Sequence, residues 1–98
     1  TYRDYVIRAF NTDTPFDRIA AEQIAGDELH PNDTGMQAAV GFLWAGPWEH
    51  TSMSVAAETR QLWLDDVTNA VGVTFLATEL RCAQCHDHKF DPYTAKDF

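Results

Sequence analysis

Apolar residues recur at helical spacing from the start of the chain. Tyr2, Tyr5, Val6, Ala9 and Phe10 share one side of a helix over residues 1–10. Asn11-Thr12-Asp13-Thr14 interrupts the pattern, and Thr14 followed by Pro15 reads as the N-cap and first position of a second helix. Asp17 lies in its first turn, where a carboxylate complements the helix dipole. Phe16, Ile19, Ala20 and Ile24 form its expected buried stripe, with Gly26 as a left-handed end. Such stripes read as core rather than cofactor contacts. Asp27 to Thr34 is a polar loop. Its carboxylates Asp27, Glu28 and Asp33 lack the alternating register, central Gly and closing Glu of a calcium loop, so it reads as solvated.

Asp33 or Thr34 can cap a short third helix through Met36 to Trp44. Residues 45–53 form an irregular crossing, with Trp44, Trp48, His50 and Met53 within ten positions. Such a loop either packs on the helices or lies over a flat apolar group. Ser54 can cap the last and longest helix, about Val55 to Leu80, buried through Trp63, Val67, Ala70, Val71 and Phe75. The face with Glu58, Arg60, Asp65 and Asp66 is mixed, and its carboxylates read as solvated. Gly72 in mid-helix costs about 1 kcal/mol relative to Ala, which implies close approach of another backbone or a ring. Nothing alternates as a strand does. The chain reads as all-α, about four helices with long irregular loops, the last helix delivering it to Cys82.

Length and composition narrow the picture. The 98 residues suit one domain over 1–98, and the absence of an initiator Met together with the helix-like Lys96-Asp97-Phe98 suggests a fragment of a longer multidomain chain. No apolar run approaches the roughly 20 residues of a membrane span. A net charge of −8 argues against nucleic acid and anionic membrane surfaces. It suits a basic or neutral protein partner, or simply a solubilising surface.

The chemistry gathers in Arg81-Cys82-Ala83-Gln84-Cys85-His86-Asp87-His88-Lys89-Phe90-Asp91-Pro92, which holds both cysteines and two of the four histidines. Cys-x-x-Cys-His is the attachment signature of one covalent haem c. Cysteines three apart on one turn reach the two vinyl groups, and His86 turns onto the iron as proximal ligand. A distal ligand comes from elsewhere, with Met raising the potential and His leaving it lower. His50 or Met53 is best placed for it, ahead of His30, Met36 and His88. An open sixth position is equally allowed and belongs to a haem enzyme.

Two other readings stay open. Zinc would take Cys82, Cys85, His86 or His88, and a fourth ligand from His30 or His50, without the usual second close pair. Thiol redox expects the pair after a strand at a helix start, which is not the pattern here. A Cys82–Cys85 disulfide closes too small a ring to restrain the unfolded chain much. Asp87, His88, Lys89 and Asp91 organise the loop that follows, and a nearby carboxylate can hold the proximal imidazole.

These residues carry a resemblance. The run Gly72-Val73-Thr74-Phe75-Leu76 and the whole of Cys82 to Pro92 resemble the planctomycete cytochrome c-associated domain. So do Tyr2 to Asn11, Glu22 to Asp27, and Gly41-Phe42-Leu43. The likeness is loosest from Trp44 to Glu58. It implies a c-type-cytochrome-like piece of a large exported chain, periplasmic or extracellular, passing electrons to a redox partner protein or to other domains of the same chain. Some relatives carry a His just after the Gly-Phe pair, where Leu43 and Trp44 stand here.

Overall fold

A computed structural model describes every residue except Ser52 and Ser54. Its helices are α1 (Tyr2–Asn11), α2 (Phe16–Leu29), α3 (Thr34–Ala39) and α4 (Ala56–Leu76), with 3-10 turns at Val40–Phe42 and Leu80–Gln84. No strand occurs among the described residues, so the all-α reading holds. The chain forms two compact units, Thr1–Ala45 and Gly46–Phe98.

In the first unit Thr1 caps α1 by accepting the Asp4 N–H at 3.4 Å, and its hydroxyl donates to Asp4 Oδ2 at 2.6 Å. Tyr5, Met36 and Ala39 form the core, with Tyr2, Val6 and Ala38 packed on it. Asp33 caps α3 by accepting the Gly35 N–H at 2.7 Å, and α3 tightens into the first 3-10 turn at Val40. Tightening of this kind is common where a short helix runs out.

Helix α2 departs from expectation in three ways. Its N-cap is Pro15, in extended conformation, and the Thr14 hydroxyl bonds instead with that of Thr12. The helix runs past Gly26 to Leu29, kinked at Ala25, so Asp27 and Glu28 are helical. Gly26 is not left-handed. It is buried, and a Cβ there would lie 2.9 Å from the Met36 carbonyl oxygen, so its missing side chain lets α3 approach. Finally, the buried side is rotated by about a quarter turn. Glu22 and Gly26 are buried, whereas Phe16 and Ile24 are exposed, as is Phe10 of α1.

A buried carboxylate needs partners, and Glu22 has two. Tyr5 donates its hydroxyl to Oε2 at 2.9 Å and Arg18 its Nε to Oε1 at 2.7 Å. Arg18 is largely exposed, so water screens its contribution. Tyr5→Phe leaves the buried oxygen unpaired and should cost about 1–3 kcal/mol in urea unfolding. Burial, and then the hydrogen bond and charge of Glu22, push the Tyr5 hydroxyl above its ordinary 10.0. This stability is therefore complete below about pH 10 and lost as pH rises further. Unfolding titrations at about pH 8 and about pH 11 should show an alkaline loss that Tyr5→Phe diminishes.

In the second unit α4 ends at Leu76, four residues before the expected Leu80, and Ser54 as its cap lies outside the described residues. Trp63, Val67, Val71 and Phe75 are half-buried, Ala70 is exposed, and the buried positions are Thr59 and Gly72. Trp48 meets Trp63 edge-on at 6.0 Å, so the crossing packs on α4 at that point. Ala77 turns left-handed (φ 54°), and the Thr78 N–H returns to the Gly72 carbonyl at 3.2 Å. The chain then doubles back. Leu80 sits against Gly72, where a Cβ would lie 2.6 Å from Leu80 Cγ and 3.1 Å from the Thr78 carbonyl oxygen. The close approach expected at Gly72 is this return.

Candidate functional site

The motif does not continue α4. Cys82 lies in the 3-10 turn Leu80–Gln84 and Cys85 caps it. With three residues per turn, positions i and i+3 are eclipsed, so Cys82 and Cys85 leave the same side. Ala83 between them is 1% exposed and anchors the opposite side. Both thiols are free and exposed, and His86 is exposed beside them.

The His86 Nδ1 lies 2.8 Å from the Asp87 carbonyl oxygen. A carbonyl only accepts, so Nδ1 carries a proton, and in the neutral ring Nε2 keeps its lone pair. This is the tautomer that a metal ligand needs, set by a backbone group rather than a carboxylate. The Asp87 side chain serves the loop instead, accepting the Ala95 N–H at 2.9 Å.

His88 holds the following loop. Its side chain is 9% exposed, and Nδ1 accepts the N–H of Asp91 at 3.0 Å and of Phe90 at 3.4 Å. An accepting Nδ1 has no proton to give Asp91 Oδ2 at 3.4 Å, which takes the Thr78 hydroxyl at 2.8 Å instead. Phe90 and Tyr93 stand edge-on to the ring, and the His88 backbone N–H donates to the Tyr93 carbonyl at 2.8 Å. Lys89 Nζ lies 5.3 Å from the centre of the Phe90 ring.

The other ligand candidates are dispersed. His50 and Met53 are exposed on the crossing in the same unit, Met53 at 93%. In the first unit His30 is exposed after α2, while Met36 is spent in the core. Among the described residues no three His, Cys, Asp or Glu side chains converge on a metal-sized point. A haem makes a different demand, since its thioethers form to vinyl carbons and one protein atom per face reaches the iron.

Two clefts flank the turn. One, about 450 Å³, is lined by Trp48 of the crossing, by Leu62, Asp65 and Asp66 of α4, and by Arg81 and Gln84 of the turn. The second, about 420 Å³, lies among Leu80, Ala83, Pro92, Tyr93 and Phe98. Neither is lined by Cys82, Cys85 or His86, which are exposed to solvent.

The acidic face of α4, expected to be solvated, grips the turn. Asp66 pairs with the Arg81 guanidinium, and Asn69 Oδ1 accepts the Arg81 N–H at 3.0 Å. Asp65 Oδ2 accepts Gln84 Nε2 and Oδ1 accepts Gln61 Nε2, each at 2.7 Å. The sequence signal was the Gln61–Asp65 spacing, a pairing distance on a helix. The partners at 81 and 84 lie too far along the chain for any periodicity to announce them.

Fold and site together define an all-helical protein that presents a Cys-x-x-Cys-His motif on a tight, exposed turn. The chain belongs to the PSCyt2 family, described as proteins of unknown function (DUF1549), whose family model matches residues 1–98. No curated protein and no solved structure matches it significantly.

Proposed function

We propose that the chain is a covalent haem c module that transfers electrons within a larger exported protein. One observation carries the reading. Two unbonded, exposed thiols stand three apart on a tight turn, and the next residue is an imidazole whose Nδ1 is engaged by a backbone carbonyl. This donor set fits the group. Thiols three apart can add to the two vinyls, and an Nε2 lone pair can take the iron. When bound, the haem supplies a one-electron iron couple. The residues of the chain do the rest. Cys82 and Cys85 would hold the porphyrin, His86 would bind its iron, and the Asp87 carbonyl orients that imidazole. His50 or Met53, on the crossing in the same unit, would serve the other face. The acidic surface suits a basic or neutral redox partner or other domains of the same chain.

The test is the absorption spectrum of the exported, matured protein in alkaline pyridine with a reductant, taken after acid–organic extraction. A c-type band that stays with the chain is expected. A colourless chain from a haem-competent host would sink the proposal and favour zinc or a disulfide. Carbon monoxide binding to the reduced protein would replace the electron carrier by a haem protein with an open iron position.

A further inference from the structure

We propose that Asp65, Asp66 and Asn69 of α4 are positioning residues, holding the turn so that both thiols face one way before any cofactor is bound. The purpose of this clamp rests on the haem reading, whereas its mechanics do not.

The contacts run as an antiparallel zipper. As the chain advances through 80, 81 and 84, its partners on α4 step back through 72, then 69 and 66, then 65. Leu80 occupies the space left by Gly72. Arg81 is held twice, its backbone N–H by Asn69 and its guanidinium by Asp66. Ala83 is buried, and Gln84 is held by Asp65, which Gln61 steadies from one turn earlier. The α4 positions 65, 66, 69 and 72 lie along one side of the helix. Cys82 and Cys85 are the exposed, unbonded members of the segment.

Asp66 and Arg81 are both partly exposed, at 32% and 52%, so that pair alone is weak. Joined to the Asn69, Asp65 and Gly72 contacts, it limits the turn to one arrangement. A ligand that must bond to two sulfurs at once gains when both are already in place, because the ordering cost has been met by folding.

The probe is a trivalent arsenical, phenylarsine oxide, which bridges two thiols, applied to the reduced haem-free chain. Asp65→Ala/Asp66→Ala should weaken its affinity roughly tenfold through lost preorganisation of the sulfur pair. Alkylation of each thiol by iodoacetamide, which needs no second sulfur, should stay within about twofold, because both are already exposed. Asp65→Asn/Asp66→Asn keeps an acceptor for Gln84 and Arg81 and should recover most of the affinity. Hydrogen exchange at the Arg81 amide should quicken in Asn69→Ala.

Unchanged arsenical affinity in the alanine variant overturns the inference. A loss accompanied by loss of α4 helicity also overturns it, since the residues would then act only through stability. A colourless mature protein with the expected arsenical result removes the haem reading and leaves the clamp. Intact haem with unchanged arsenical affinity does the reverse.

Discussion

Serine at both Cys82 and Cys85 is expected to abolish retention of haem by the chain after extraction. A thioether needs a thiolate to add across the vinyl group, and a hydroxyl is too weakly acidic and too poor a nucleophile to replace it. Either single substitution leaves one link, so extraction should still leave haem on the chain, with a band displaced by the remaining vinyl. The fold should survive, because both side chains are exposed, and surface changes usually stay within about 0.5 kcal/mol. The comparison is therefore between equally helical proteins, read by circular dichroism, chain mass and the pyridine spectrum. Haem that resists extraction from the double variant would rule out attachment at these residues.

Gly72→Ala should destabilise the chain by about 1–3 kcal/mol, although alanine is the better helix former by about 1 kcal/mol. Two effects oppose each other. The added methyl gains helix propensity, and it also meets Leu80 Cγ at 2.6 Å and Cδ1 at 2.8 Å. Leu80 cannot simply swing its far end aside, since Cγ itself is too close, and the methyl would also lie 3.1 Å from the Thr78 carbonyl oxygen. Steric crowding wins. Adding Leu80→Ala should return part of the loss, and a double-mutant cycle in urea would give the coupling directly. A more stable Gly72→Ala chain would mean that the return of residues 77–80 onto α4 is wrong.

What could be read from the sequence was local. Tyr2, Tyr5, Val6 and Ala9 mark α1 by spacing alone, and Asp33 announces α3 because a cap acts within three residues. The Cys-x-x-Cys-His order was legible for the same reason. Glu22 was not. A glutamate among Ile19, Gln23 and Gly26 looks like the wet side of α2, and it turns inward because Tyr5, 17 residues earlier, supplies a hydrogen bond. The end of α4 was hidden because Ala77 adopts a left-handed turn usually taken by Gly or Asn, so no residue type flagged it. Asp65 and Asp66 looked solvated because their partners on the turn, Gln84 and Arg81, lie 19 and 15 residues further on.

Surface thiols also set a clock for making the protein. In an oxidising compartment a dithiol that has not yet been used can close on itself or exchange with a neighbouring copy of the chain. Both side reactions draw on the same exposure that the proposed attachment at Cys82 and Cys85 would need. Delay therefore costs yield rather than fold. A chain kept reduced should run as one product, and a chain left in an oxidising medium should give a ladder of linked oligomers on a non-reducing gel.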